Sequence, residues 1–194
     1  MSLINIIITG VGGQGILLAE RVIAAAAMQA GLDVRTNEVH GMAQRGGSVV
    51  AHVRLGDCVP GPLVPEGDAH LLMAFEQAEA LRQAHHLRAD GVAVVASTTI
   101  LPVSVSSGQA TMPDDIPHRL RRAFPRLVYL DAREIARRAG SERTANMVLT
   151  GALANHLPLT DAHWRGAMET IIPAEHRETN WSAFQAGKDC RIDA

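Results

Sequence analysis

Apolar residues in this chain follow two rhythms. Short, nearly unbroken runs at 3–9, 69–75 and 92–96, with a fourth at 126–130, have the length and density of strands buried on both faces. Longer stretches between them repeat at helical spacing. The first carries Ile16, Ala19, Val22, Ile23, Ala26, Ala27 and Ala30 on one side and Glu20, Arg21 and Gln29 on the other, and stops at Gly31. Segments 33–39 and 48–55 alternate instead, as strands do, around a segment at 40–47 with no regular period. Residues 58–67 hold three prolines and two glycines and read as a connection. A helix is expected over 76–87, a turn at 89–91, and a long polar loop over 97–115. Pro117 suits the first turn of the next helix, and Asp131 caps another that ends at Gly140. Helices over 141–156, from Thr160 to Ile172, and from Pro173 towards Gly187 complete the chain, with 188–194 as a polar tail. Strand and helix alternate throughout. The pattern predicts one α/β domain over 1–187: a three-layer α/β/α sandwich on a mainly parallel, Rossmann-like sheet, with a helical C-terminal portion available to wrap or reach a partner.

Composition narrows this picture. At 194 residues the chain buries a substantial core, and with 47% apolar but only 3% aromatic residues that core is aliphatic and alanine-rich, which suits helices lying close on a sheet. A formal charge of −2 argues against nucleic acid. The densest basic group, Arg119, Arg121, Arg122 and Arg126, reads as a solvated face. Cys58 and Cys190 stand far apart with no CxxC, so this chain supplies no zinc site, no other metal site and no iron–sulfur cluster. No signal peptide and no apolar run of spanning length is present, giving a cytoplasmic protein with no membrane contact as the expectation.

Candidate chemistry gathers at two glycine-rich places. Gly10, Gly12 and Gly15 fit G-x-G-x-x-G between the first strand and first helix, where free N–H groups and the helix dipole favour an anion; Gly13 belongs to the same candidate anion-binding turn. The same spacing also serves plain helix-on-sheet packing. Segment 40–47 sets Arg45, with its planar donors for carboxylate or phosphate, among Gly41, Gly46 and Gly47. His40 opens it, either as a catalytic group or as a structural hydrogen-bonder. Glu38, at the end of the second strand and a little over 20 residues beyond the glycine turn, is where a dinucleotide fold holds a ribose and keeps a second reading open: a free-standing NAD- or flavin-binding protein using Gly10, Gly12, Gly15 and Glu38. A scaffold with an empty glycine turn is a third.

The segments GVGGQGILLAERVIAAAAMQAGLDV, TNEVHGMAQRGGSVVAHVRLGD, LLMAFEQAEALR, RTANMVLTGAL and ETNWSAFQAG together resemble the γ-type subunit or domain of the 2-oxoacid:ferredoxin oxidoreductases, nearest their indolepyruvate branch. EVHGMAQRGG is the specific part, ahead of the Arg45-Gly46 pair shared across the family. His70 stands where the family tends to have Asp, and Thr111-Met112 precede Pro113 where an aromatic is common. The resemblance implies a cytoplasmic heteromer that decarboxylates an arylpyruvate on thiamine diphosphate and Mg²⁺, passes the acyl group to coenzyme A as co-substrate, and sends electrons through iron–sulfur clusters to ferredoxin. Those cofactors are expected on a large α subunit, with none bound by this chain alone. No Gly-Asp-Gly with a following Asn pair occurs here; Gly56-Asp57-Cys58 is the nearest fragment. This chain is then expected to be inactive when isolated, to complete or gate the partner's site through Arg45, His40, Gly46, Gly47 and the Gly10–Gly15 turn, and, when its partner is missing, either to self-associate as a homo-oligomer or to show a mobile surface around 40–47 and 97–115.

Overall fold

The computed structural model describes residues 3–40, 47–101, 103–109 and 111–191, and for residues 40, 103 and 104 the backbone alone. The strands are β1 (Ile4–Val11), β2 (Asp33–His40), β3 (Ser48–Gly56), β4 (Ala69–Ala74), β5 (Leu87–Ala96) and β6 (Leu127–Leu130). They form one sheet in the order β2-β3-β1-β4-β5-β6. Pairings β1–β4, β4–β5 and β5–β6 are parallel. The β2–β3 hairpin adds the two antiparallel pairings, β2 with β3 and β3 with β1. The carboxyl ends of β1, β4, β5 and β6 therefore share one rim, and the end of β2 and the start of β3 lie on that same rim.

Period-two burial makes the three layers. Ile6 and Ile8 of β1 face one core with Val53, Met73 and Val94, while Ile7 faces the other with Leu72 and Val95. The first core is covered by α1 (Ile16–Gln29), α6 (Ala145–Ala154), α7 (Asp161–Ile171) and α8 (Arg177–Lys188), the second by α2 (Gln77–Arg82) and α4 (Ile116–Ala123). Short α3 (Val103–Ser106) lies within the long loop, and α5 (Ala132–Arg138) starts at Asp131, whose carboxylate accepts from the Glu134 amide. Among the described residues no helix is long and apolar enough to cross a membrane.

Several local expectations are corrected. Glu20 is not on a polar face: it is buried at 3% exposure. The 76–87 helix is shorter, because the Glu76 carboxylate caps Gln77–Arg82 and a 3₁₀ turn at Ala84–His86 leads into a strand beginning at Leu87. Residues 89–91 lie inside β5, as an irregularity between the pairs Ala69–Leu87 and Leu71–Val92. Gly91, read as a turn, marks that bulge, where a Cβ would lie 2.7 Å from Leu87 Cδ1. The C-terminal helices pack on the sheet, with Trp164 and Trp181 each 5.3 Å from the Phe184 ring.

Helices α6 and α8 touch backbone to backbone. A Cβ on Gly151 would sit 1.9 Å from the Phe184 carbonyl oxygen, and one on Gly187 would sit 2.0 Å from that of Val148. Gly151→Ala is therefore expected to cost about 2 kcal/mol, since the obstruction is main chain rather than a side chain free to turn aside. A thermal melt checks this: an unchanged Tm contradicts the close approach.

Candidate functional site

The glycine turn ends β1 at the rim and is filled by the protein itself. Gln14 folds back beneath it: Oε1 accepts from the Val11 amide at 2.7 Å and Nε2 donates to the Phe75 carbonyl at 2.9 Å. Gly10 is small for that reason, because a Cβ there would lie 2.7 Å from Gln14 Oε1 and 2.8 Å from Phe75 Cβ. Gly15, at φ +83°, occupies the left-handed region at the start of α1, with Asn146 Nδ2 2.7 Å from where its Cβ would be. The Gly12 amide donates to the Gly47 carbonyl at 2.9 Å. Two N–H groups that the sequence aims at an anion, those of Val11 and Gly12, are thus already committed inside the protein. The same bond joins the two glycine-rich places that are distant in sequence.

Of the other sequence candidates, His40 is the last residue of β2, with its backbone opposite Val49, and its side chain lies outside the described residues, as do Arg45 and Gly46 entirely. Glu38 is not placed for a ribose. Strand β3 separates β2 from β1, which puts Glu38 on the sheet edge roughly 10 Å away from the glycine turn's strand. Its carboxyl is hydrogen-bonded to that of Glu20. Burial, then that hydrogen bond, push Glu20 up to about 7; a bond from Thr36 opposes them and the Glu38 charge adds to the rise. Glu20 Oε2 finds no hydrogen-bond partner among the described residues.

A cavity of about 570 Å³ opens on the rim, walled by Gly13, Gln14, Phe75, Thr98, Asn146 and two arginines, Arg133 and Arg143. It lies outside the carboxyl ends of parallel strands, where α/β sheets leave a crevice between diverging connections. Arg143 also lines an adjoining cavity of about 320 Å³ beside His176 and Asn180. Arg133 stands 3.9 Å from Glu142, an exposed and weak pairing, so the wall keeps donors for an anionic group. The signal for these arginines lay in position rather than motif: both follow a capping residue, Asp131 or Ser141, at the start of a helical segment facing the rim.

Comparison with known proteins decides the family. The pyruvate ferredoxin/flavodoxin oxidoreductase model matches residues 5–190. The chain belongs to that family. It is 43% identical over 188 residues to indolepyruvate oxidoreductase subunit IorB of Archaeoglobus fulgidus, covering 95% of this chain and 93% of that one. Among solved structures, the gamma subunit of keto/oxoacid ferredoxin oxidoreductase from Geobacter sulfurreducens shares the fold at a TM-score of 0.70 and 23% identity, with 95% of both chains covered. The 2-oxoglutarate:ferredoxin oxidoreductase of Magnetococcus marinus matches 97% of this chain at a TM-score of 0.73 and 24% identity, over 31% of its own length. The fold thus occurs both as a separate small subunit and within a longer chain. The resemblance read in EVHGMAQRGG and the glycine turn holds.

Within this family member, the exits of β4 and β5 are braced by buried polar groups that sequence patterning passed over. Glu76 and Glu79 are 1% and 4% exposed on an element read as a plain helix. Burial pushes the Glu76 carboxyl up, and hydrogen bonds from the Glu79, Ile100 and Ala78 amides oppose the rise.

Proposed function

We propose that this chain is the small, thiamine-free subunit of a heteromeric ferredoxin oxidoreductase acting on an arylpyruvate such as indolepyruvate, and that its rim completes or gates the reaction site of a larger partner. Carrying the reading is the 43% identity to an indolepyruvate oxidoreductase subunit over nearly the full length of both chains. In this reading thiamine diphosphate and Mg²⁺ provide the electron sink for decarboxylation, and iron–sulfur clusters provide the path to ferredoxin. Those groups belong on the partner, since two cysteines cannot ligate a four-cysteine cluster. Among the described residues no group of three or more His, Cys, Asp or Glu is placed to hold a metal ion.

What this chain supplies is position and charge. His40 ends β2, and Arg45 follows in the sequence between β2 and β3, whose start is tied by Gly47 to the glycine turn. Arg143 and Arg133 border the adjoining cavity. These donors suit the carboxylate of a 2-oxoacid or the phosphates of coenzyme A as co-substrate. Against the nucleotide-binding alternative stand the separation of Glu38 from β1 and the Gln14 side chain filling the turn.

The purified chain alone is expected to be colourless and inactive with indolepyruvate, and to regain activity on addition of the thiamine- and cluster-bearing subunit. Stoichiometric flavin or cluster absorbance in the isolated chain, or saturable NAD or FAD binding in a titration that includes coenzyme A, contradicts the proposal.

A further inference from the structure

Helix α2 carries a polar network that links two parts of the rim. Ser48, the first residue of β3, donates its hydroxyl to Glu79 Oε2 at 2.6 Å, and Arg82 donates to Glu79 Oε1 at 2.5 Å. The Glu79 amide donates to Glu76 Oε2 at 2.9 Å, and Glu76 Oε1 accepts from the Ile100 amide at 3.3 Å. Next along the helix, the Gln77 amide donates to the Thr98 carbonyl at 3.1 Å, and Gln77 Oε1 accepts from the Tyr129 hydroxyl at 2.8 Å. One six-residue helix therefore fastens the start of β3 to the segment leaving β5, and Thr98 in that segment walls the larger cavity.

Capping accounts for part of this arrangement, since Glu76 satisfies the Glu79 and Ile100 amides, yet two nearly buried carboxyl groups three residues apart also repel each other when ionised. What the network does supply is a single, directional position for Ser48. That in turn fixes the Gly47 carbonyl, which receives the Gly12 amide of the glycine turn.

We propose that Glu79 and Ser48 are positioning residues, clamping the Gly47–Ser48 backbone against the glycine turn so that the rim presents one geometry to the partner's reaction site. The clamp is read from this chain's own hydrogen bonds; its importance for turnover rests on the function proposed above. Glu79 touches no reacting group. It acts through Ser48 and Gly47.

The Gly12 amide is the reporter. Ser48→Ala in the full chain is expected to raise the hydrogen-exchange rate of that amide by about tenfold or more, while amides within β4 keep their protection, because one charge-assisted bond at the rim is lost and the core is untouched. Ser48→Thr, which keeps the hydroxyl, should restore slow exchange. In the assembled oxidoreductase Ser48→Ala should lower kcat more than it raises KM. An unchanged Gly12 exchange rate in Ser48→Ala overturns the clamp, whatever turnover does, and so does a loss of protection spread equally through β4. Fast Gly12 exchange with full turnover in the complex supports the clamp and instead contradicts the placement of this rim at the partner's site.

Discussion

Replacing Arg45 by alanine is expected to lower turnover of the assembled oxidoreductase by about one to three orders of magnitude, or ~1.5 to 4 kcal/mol, the range for losing a charge-assisted contact in a desolvated site. The chain should still fold, since the two described cores close around residues of the sheet and helices elsewhere. Arg45→Lys should recover only part of the loss, because lysine retains the charge but not the planar pair of donors. Full rescue by lysine assigns long-range charge steering instead. Complex formation and turnover measured on one preparation separate the alternatives: activity lost in proportion to assembly assigns Arg45 a structural role, and unchanged turnover in a fully assembled Arg45→Ala complex removes it from the site.

Glu20 should cost the isolated chain about 3 kcal/mol of stability as pH rises from 4.5 to 7. Glu20 titrates at about 7 in the folded chain against an ordinary value of 4.5. Below 4.5 it is protonated in both states and imposes no penalty. Between 4.5 and 7 the unfolded chain releases a proton that the folded chain keeps, so each step up in pH favours unfolding. Above 7 the folded group ionises as well and the loss levels off. Glu20→Gln preserves shape and hydrogen-bonding capacity while removing the charge, so the mutant should exceed the parent in stability at pH 8 and match it more closely at pH 4. His52, His70, His86 and His156, each pushed down mainly by burial, contribute the opposite slope, since their stabilisation is lost as pH falls. They are common to both proteins and cancel in the difference. A parallel pair of urea-derived stability curves across pH 4 to 8 would refute the assignment of this proton to Glu20.

The sequence made the layered architecture legible because its strongest signals are periodic. The buried runs around Ile7, Leu72 and Val94 and the apolar face of α1 each depend on local spacing. A glutamate beside Arg21 looks solvated, whereas the fold buries Glu20 beside Thr36 and Glu38 of β2. The β2–β3 hairpin also displaced the dinucleotide reading: an acid at the right distance along the chain lies on the wrong strand, since β3 occupies the position beside β1. At the glycine turn, spacing identified the backbone shape but not its occupant. That occupant is Gln14, a residue inside the motif whose bonds to Val11 and Phe75 depend on β4 lying alongside β1. Arg143, Ser48 and Glu79 were invisible for a related reason, because each acquires its neighbours from elements 30 or more residues distant or from the rim's geometry rather than from a motif.

The central claim is that this chain acts only as part of a larger oxidoreductase, and reconstitution tests it most directly. The chain and its thiamine- and cluster-bearing partner are purified separately, then assayed singly and mixed, following indolepyruvate-dependent reduction of ferredoxin in the presence of coenzyme A. The account predicts no turnover from either component, turnover on mixing that saturates at a fixed ratio of the two, and co-elution of the active species as one complex. Full turnover by the large subunit alone, undisturbed by adding this chain, would contradict it.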